Sequence, residues 1–348
     1  MGLNKIQASY EPHKWKWWHL PFLLILIIGT IYVIISRPIG KSNDWQFCEG
    51  GCFGTVYHIS YKSTDNYNDS IINVLKIVDK SLSTFNDSSV ISFINSNKSN
   101  QMDKMVSKVI ETSLIVHKET NGAFDITVAP LVNAWGFGFK NSDNIDSIKI
   151  DSILQFVGME KLSISGNRII KSDNRIMLDC SAIAKGFGVD MVAEMFKRNN
   201  IDNFMIEIGG EVRTSGKNPS NSNWNIGINK PVDDIMSDNQ DLQNIIEITD
   251  MSIATSGNYR NFYIKNDKKY AHTIDPKSGY PVQHSILSST VIAKDCMVAD
   301  AYATAFMVMG LEKAKVLLNK HTELKAYFIY STDNGENAVW CSDGLIIK

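Results

Sequence analysis

A run of twenty residues without a formal charge, from Trp17 to Ser36, constrains the fold of this chain more than any other feature. At about 1.5 Å per residue, a helix of that length spans about 30 Å, the thickness of a bilayer core. Tryptophans at positions 15, 17 and 18 lie at its start, where interfacial aromatic residues are common in membrane proteins. The run therefore predicts a transmembrane helix over residues 17–36.

The charges that flank this segment favour a cytoplasmic N-terminus, because three lysines precede it whereas Arg37 and Lys41 follow it. A cleaved signal peptide is the alternative, but no small-residue cleavage pattern precedes Arg37-Pro38. We therefore expect an uncleaved anchor. The predicted organisation is a short N-terminal segment over 1–16, the anchor over 17–36, a tether over 37–47 and a globular domain over 48–348.

The composition is that of a globular protein with a sizeable core, with 44% hydrophobic and 21% charged residues. A net charge of −2 and the absence of a basic run give no reason to expect a nucleic-acid partner. The five cysteines form neither a disulfide framework nor a zinc pattern, although Cys48 and Cys52 could pair in an exported domain.

Helical and strand patterns are mixed without a regular βαβ alternation, which indicates the α+β class. Residues 140–175 are polar with short apolar runs and are predicted to form strands and loops between two halves. The other predicted elements include helices over 70–85, 103–122, 181–200 and 300–310, a hairpin over 203–216, and strands over 54–62, 224–229, 252–257, 270–275 and 288–294.

Asp300 and Thr304 place a carboxylate and a hydroxyl four residues apart in an otherwise apolar segment that ends at Gly310. In a helix both side chains project from one face. Carboxylate, hydroxyl and carbonyl oxygens are the ligands that Mg²⁺ accepts, and no His/Cys cluster supports zinc. The alternative is structural: Asp300, in the first turn, caps the helix and Thr304 bonds back to the backbone.

Three other stretches place polar residues and glycines in apolar surroundings. The segment 122–138 offers close backbone approach and aromatic surfaces, or simply a helix end packed by aromatic residues. The segment 179–188 has an acid, a hydroxyl and a lysine at a helix start, which suits a phosphate or a simple cap. The segment 207–213 surrounds a Gly-Gly turn with charges, as a salt-bridged hairpin would.

A tight turn is specified unusually strongly between His272 and Pro281, because Pro276 and Gly279 fix its backbone and Asp275 can brace it. His272 precedes this turn at the predicted end of a strand. A general base or a phosphate contact could be displayed there.

Taken together and in this order, the segments resemble the ApbE family, the FAD:protein FMN transferases. The resemblance covers roughly residues 48–345, and its most specific part is HxIDPxxGxP followed by the helix ADAxxTA. It implies an ApbE-like, T-fold-like α+β domain that binds FAD and Mg²⁺. It also implies transfer of FMN through a phosphoester to a threonine hydroxyl of a target protein, with release of AMP.

The resemblance also implies the site residues, matched position by position onto this sequence. The metal ligands are the Asp300 carboxylate, the Thr304 hydroxyl and the Ala182 carbonyl. The family's early Met-Gly-Thr appears here as Phe53-Gly54-Thr55, so Phe53 takes the place of a Met that contacts the flavin. The other flavin-binding positions are Ala123, Phe124, Asp125, Asp179, Lys185 and Ile274. We expect His272 to be the general base, with Asp275 or Asp179 as alternatives.

Two other functions remain open on the sequence. One is a Mg²⁺-dependent FAD pyrophosphatase that gives FMN and AMP, and the other is a non-enzymatic, membrane-held flavin-binding protein. Retention of Asp300, Thr304 and His272 argues against the second. Bacterial family members commonly work outside the cytoplasmic membrane on subunits of membrane redox complexes. We therefore expect a bacterial inner-membrane protein with its domain on the extracytoplasmic side, and FAD and such a subunit as partners.

Overall fold

The computed structural model describes residues 44–138, 145–231, 242–258, 262–265 and 268–348. Residues 45–348 form one compact unit. The predicted anchor over 17–36 lies outside the described residues. Among the helices of the described ranges, none has the length and apolar character needed to cross a bilayer.

Antiparallel pairing dominates the strands of this protein. They are β1 (Trp45–Cys52), β2 (Thr55–Lys62), β3 (Leu162–Ser165), β4 (Arg168–Lys171), β5 (Phe204–Ile208), β6 (Glu211–Ser215), β7 (Trp224–Asn229), β8 (Leu242–Ile248), β9 (Ser252–Gly257), β10 (Phe262–Lys265), β11 (Lys268–Ala271), β12 (Ile286–Ala293), β13 (Lys325–Ser331), β14 (Asn337–Cys341) and β15 (Ile346–Ile347). The main sheet has the order β1-β2-β5-β6-β9-β12-β13-β14, and each neighbouring pair in it is antiparallel. A three-stranded sheet, β15-β8-β7, and the hairpins β3–β4 and β10–β11 accompany it.

Along the chain, the helices connect strands of an antiparallel sheet and do not alternate regularly with parallel strands. The predicted α+β class is therefore confirmed. They are α1 (Asn68–Leu82), α2 (Val90–Asn95), α3 (Lys104–Glu119), α4 (Ala129–Ala134), α5 (Ser147–Leu154), α6 (Ala184–Arg198), α7 (Cys296–Met309) and α8 (Leu311–Leu318).

Helix α5 corrects the prediction of strands and loops over residues 140–175. Asp146 caps it by accepting a hydrogen bond from the Lys149 amide (2.8 Å), and Ile150 and Ile153 bury its inner face. The short apolar runs expected for strands are present only further on, in β3 and β4. A helix of two turns carries too few periodic positions to stand out in a polar segment.

The main sheet is covered on both faces, so β6 and β12 are buried almost throughout although both carry polar side chains. In β12, Val291 and Ala293 pack with the helices while Ile292 packs with the three-stranded sheet. In β13, Phe328 joins the helical side and Tyr327 the other. Helix α7 packs on β9 and β12 and also touches α6 and α3, so nearly all of its side chains are buried. Such a helix must be largely apolar, and α7 is so apart from Asp300 and Thr304.

Helices α6 and α7 cap each other. Neither has a side-chain cap of its own at its start. The buried Asp190 of α6 accepts hydrogen bonds from the Cys296 and Met297 amides at the start of α7, both at 2.9 Å. In return, Asp300 of α7 accepts one from the Gly186 amide in the first turn of α6 (3.0 Å). Each carboxylate therefore satisfies amides that would otherwise be buried without a partner.

A buried cation, the Arg213 guanidinium, pairs with the Asp190 carboxylate. Arg213 of β6 donates to Asp190, and it also lies 3.2 Å from Asp295, just before α7. Burial raises the pKa of the Asp190 carboxyl, and Arg213 acts in the opposite direction. Loss of either partner would leave a buried charge uncompensated.

We predict that Asp190→Ala lowers the free energy of unfolding of residues 45–348 by about 3–5 kcal/mol, because Arg213 and two helix amides lose their partner. Urea denaturation followed by circular dichroism measures the change. The matched control is Glu194→Ala on the exposed face of α6, which should cost less than about 0.5 kcal/mol. Equal effects of the two substitutions would contradict the capping role.

Candidate active site

Asp300 lies in the second turn of α7 and is 2% exposed. The prediction that it belongs to the first turn and caps this helix is wrong, because α7 begins at Cys296 and Asp190 caps it. Thr304 follows one turn later on the same side of the helix. Its hydroxyl lies 3.1 Å from the Ser256 hydroxyl of β9. The pair is thus held between α6 and the sheet.

Gly186 allows α6 to approach α7 closely enough for this contact. A methyl group at position 186 would lie 2.7 Å from the Cys296 carbonyl carbon and 2.9 Å from Asp300 Cβ. The Gly186 amide donates to Asp300, although in a continued helix it would donate to the carbonyl of Ala182, four residues earlier. The Ala182 carbonyl therefore lies at the start of α6, next to the turn that contacts Asp300, and does not accept the Gly186 amide.

Two buried carboxylates share one lysine here. Lys185 Nζ lies 3.0 Å from Glu211 Oε1 and 3.9 Å from Asp300 Oδ1, and the lysine side chain is 29% exposed. Burial raises the pKa of Asp300 and, to about 8, that of Glu211, and Lys185 opposes both shifts. Burial alone would lower the pKa of Lys185, but Asp300 and Glu211 outweigh it and the net shift is upward. The lysine is therefore a fixed positive charge.

Glu211 was not among the predicted site residues. The hypothesis of a salt-bridged hairpin over 207–213 is wrong in its pairing: Glu211 pairs with Lys185, Arg213 with Asp190, and Glu207 with His58 (2.5 Å). The sequence did carry a signal. Glu211 and Arg213 stand two apart in a strand and therefore share one face, while Val212 between them belongs to the opposite core. Charges on the inner face of a strand indicate a buried polar site.

The oxygen atoms at this point fit a hard cation such as Mg²⁺. The predicted ligands, from Asp300, Thr304 and Ala182, are all oxygens. The second oxygen of Glu211, Oε2, is buried and has no hydrogen-bond partner among the described residues. When both are ionised, the two carboxylates carry one negative charge more than Lys185 neutralises. Within the described ranges no cluster of three or more His, Cys, Asp or Glu side chains suited to a metal occurs, so the fit rests on this mixed set.

The predicted flavin positions at 123–125 lie beside the segment that leads into α6. The Asp179 amide donates to the Ile126 carbonyl at 2.7 Å, which joins the two segments. The Asp125 carboxylate is buried and accepts hydrogen bonds from the amide and hydroxyl of Thr127 (2.7 and 2.6 Å) and the Met159 amide (3.1 Å). Burial raises its pKa, and these hydrogen bonds act against the shift. The carboxylate therefore shapes the loop, and the Phe124 amide and carbonyl are themselves held by Thr120 and His117.

Asp275 braces the turn after β11, as predicted. Its carboxylate accepts from the Lys277 amide (3.0 Å), its carbonyl from the Gly279 amide (2.8 Å), and its amide donates to the Tyr280 carbonyl (2.9 Å). The predicted strand over 270–275 is too long, since β11 ends at Ala271. After β11 the chain leaves the β10–β11 hairpin and forms the turn, across which Ile274 pairs with Pro281.

His272 and Ile274 lie on either side of Thr273 in this connection. Ile274 is buried in a cluster with Trp135, whose ring nitrogen donates to the Gly279 carbonyl at 2.7 Å. The half-buried His272 ring lies edge-on to Phe137, with centroids 6.4 Å apart. Thr273 donates to Asn258 (2.8 Å), just beyond β9, the strand that also carries Ser256. Strand β9 thus links the turn to Thr304.

Comparisons with known proteins decide the family. The sequence profile of the ApbE family matches residues 53–328. This chain belongs to the ApbE family. A FAD:protein FMN transferase of Haemophilus influenzae is 36% identical over 330 residues, with 89% of this chain and 94% of the relative covered. The corresponding Vibrio cholerae protein is 36% identical over 320 residues, with the same coverage.

Solved structures of ApbE proteins share the fold. The flavin transferase ApbE from Vibrio cholerae superimposes with a TM-score of 0.77 at 34% identity, covering 86% of this chain and 97% of that one. The apo form of the Pseudomonas stutzeri flavinyl transferase ApbE gives a TM-score of 0.76 at 29% identity, covering 86% and 95%. The predicted ApbE-like fold is confirmed, and the protein is a transferase enzyme.

Phe53 lies where the ApbE pattern has a methionine, and its backbone is strained. The turn between β1 and β2 consists of Phe53 and Gly54, both with positive φ (51° and 73°). Hairpin turns of this kind favour Asn-Gly, and a bulky residue in the left-handed region costs on the order of 1 kcal/mol. The Phe53 ring lies against α6, where a methyl group at Gly188 would be 2.7 Å from it. The strained turn therefore places an aromatic ring against the helix that carries Lys185.

We predict that Gly186→Ala lowers the free energy of unfolding by about 1–3 kcal/mol, because the added methyl group forces α6 away from α7. It should also weaken divalent-cation binding, since the Gly186–Asp300 hydrogen bond is lost. Urea denaturation, and calorimetric titration with MgCl₂ in the presence of saturating ADP, measure the two effects. Gly51→Ala is the control, because a methyl group there meets only the Thr55 carbonyl oxygen, at 3.8 Å. Unchanged Mg²⁺ binding in Gly186→Ala would contradict the prediction.

Proposed function

We propose that this protein transfers the FMN part of FAD to a threonine hydroxyl of an acceptor protein in a Mg²⁺-dependent reaction that releases AMP. The flavin transferase names of its relatives support transfer of a flavin from FAD to a protein. The observation that carries the cation dependence is the meeting of Asp300, Thr304 and the start of α6 beside the unpartnered oxygen of Glu211.

The reaction exchanges one phosphoanhydride bond for one phosphoester bond. The threonine oxygen attacks the phosphorus of the FMN half of FAD, a P–O bond forms to it, and the bond to the bridging oxygen breaks. The electron pair leaves with AMP, and the hydroxyl proton goes to a base. Asp300, Thr304 and the Ala182 carbonyl would hold Mg²⁺, which supplies charge stabilisation at the non-bridging oxygens when bound. Lys185, whose side chain is 29% exposed, is placed to pair with the same phosphates.

We propose His272 as the base, because it follows β11 beside a braced turn and its neighbour Thr273 is fixed to Asn258. Asp275 is the alternative, but one of its carboxylate oxygens already accepts from the Lys277 amide. The Phe137 ring lies edge-on to the imidazole and limits the directions in which it can turn.

The transfer reaction is tested with full-length protein in detergent, FAD and a candidate acceptor domain that carries an exposed threonine. Mass spectrometry of the acceptor should show a gain of the size of FMN that requires Mg²⁺, and chromatography should show an equal amount of AMP. Asp300→Ala should abolish both. Glu194→Gln, on the exposed face of α6, should behave as wild type. AMP and FMN without a modified acceptor would favour the pyrophosphatase, and unchanged FAD would favour a flavin-binding protein.

For His272 we predict that His272→Ala slows single-turnover transfer about 10²–10⁴-fold, the usual contribution of a general base. FAD binding, followed by flavin fluorescence, should change little, because the substitution removes no proposed phosphate or metal ligand. Asp275→Asn is the matched control: it should retain a brace at the turn and act within a few fold of wild type. Full activity of His272→Ala would contradict the assignment.

We further propose that residues 17–36 anchor the protein in the bacterial inner membrane with the catalytic domain on the extracytoplasmic side. The uncharged length of this segment supports a membrane anchor, and the lysines that precede it support this orientation. A subunit of a membrane redox complex is the proposed acceptor. Protease added to intact spheroplasts should then degrade the domain. Protection of the domain from that protease would reverse the topology.

A further inference from the structure

The site contains a cation of its own, in the form of Lys185. Its ammonium lies between the Glu211 carboxylate at 3.0 Å and the Asp300 carboxylate at 3.9 Å. The side chains of Glu211 and Asp300 are each 3% exposed, whereas that of Lys185 is 29% exposed. The two acids are thus fixed in the protein interior, and the lysine reaches them from the open side.

This placement sets up a competition for Asp300. A divalent cation held by Asp300 would carry two positive charges close to the Lys185 ammonium. Repulsion between charges a few ångströms apart is strong in a partly buried site, since water does little to screen it. Lys185 must therefore oppose metal binding as long as no further negative charge is present. A pyrophosphate brings that charge and can pair with the metal and the lysine together.

Glu211 keeps the lysine in this position. It is the nearer of the two partners, and one of its oxygens makes the 3.0 Å contact while the other, Oε2, is buried without a hydrogen-bond partner among the described residues. Gly209, in the turn just before it, packs against Thr55 and the Lys185 stem, since a methyl group there would lie 2.8 Å and 3.3 Å from them. The lysine is therefore confined along its stem as well as at its charged end.

We propose that Lys185, positioned by Glu211, makes binding of the divalent cation depend on the pyrophosphate of the substrate. This inference rests on the metal site of the proposed function. Without substrate, Lys185 weakens metal binding at Asp300. With substrate, the lysine pairs with the phosphates and the metal binds. By linkage, the metal and the pyrophosphate then raise each other's affinity by the same factor. Free Mg²⁺ alone would leave the site largely unfilled.

The test is calorimetric titration of the full-length protein in detergent with MgCl₂, alone and with saturating ADP. ADP carries a pyrophosphate but no flavin to transfer, and the Mg²⁺ that it chelates in solution is subtracted. In Lys185→Met we expect at least tenfold tighter Mg²⁺ binding without ADP, and a tenfold or greater loss of the affinity gain that ADP brings. In Glu211→Gln we expect Mg²⁺ binding without ADP to weaken at least tenfold.

Charge count separates this mechanism from structural damage. With both carboxylates ionised, Lys185→Met makes the group of three side chains more negative, Glu211→Gln makes it less negative, and the double variant restores the wild-type charge. Its affinity for Mg²⁺ should return to within about threefold of wild type. Damage to the fold would instead weaken binding in all three. Lys197→Met and Glu194→Gln, both exposed on α6, are the charge-matched controls and should change nothing.

Weaker or unchanged Mg²⁺ binding in Lys185→Met would overturn the inference. If no variant binds Mg²⁺ with or without ADP, the metal site of the proposed function falls with it. If the affinities follow the charge count but no acceptor is ever modified, the inference stands and the transfer reaction is what fails.

Discussion

The reciprocal capping of α6 and α7 is the interaction on which the rest of the site depends. Asp190 of the first helix satisfies the starting amides of the second, and Asp300 of the second satisfies an amide in the first turn of the first. Both carboxylates are buried, so neither can leave without stranding backbone donors in the core. The distance between the two helix starts is therefore fixed. This contact therefore sets the distances between the carboxylate, hydroxyl and carbonyl oxygens that are proposed as metal ligands.

The same arrangement explains how five charged side chains can lie around α7 in the part of the protein that the structure describes. Arg213 offsets Asp190 on one side of α7, and Lys185 offsets Glu211 and Asp300 on the other. The first pair is closed, because Arg213 and Asp190 are both buried and the second acid near Arg213, Asp295, is half-exposed. The second group has one carboxylate more than it has cations and a lysine that reaches solvent, so it is incomplete without a ligand. Buried ion pairs cost desolvation energy, and an unbalanced set is kept where a charged ligand completes it.

Much of this could be predicted from the sequence, and the failures have a common cause. Glycine, proline and aspartate residues located the hairpin at Gly209-Gly210 and the braced turn at Asp275, and hydrophobic periodicity located the helix over 103–122. These signals are local in the sequence. The ApbE pattern brought Asp300, Thr304 and Ala182 together before any geometry was known. The role of Asp300 in capping was assigned to the wrong helix, because its amide partner is 114 residues away. Glu211 and Lys185 were likewise separated into two motifs, and only the fold of β6 against α6 makes them one group. The anchor over 17–36 stays a prediction.

The two halves of the site differ in how they are held, and this difference suits a transfer reaction. The half proposed to bind the metal is built from two packed helices and a buried strand. The half that carries His272 is built from a turn after a two-stranded hairpin, fixed by side-chain contacts of Trp135, Asp275 and Thr273. Pyrophosphate chemistry requires fixed charges, since stabilisation by preorganised groups is lost if they must rearrange. An acceptor protein must instead enter and leave, and a turn braced at a few points can adjust to it while the helices keep the phosphates in place.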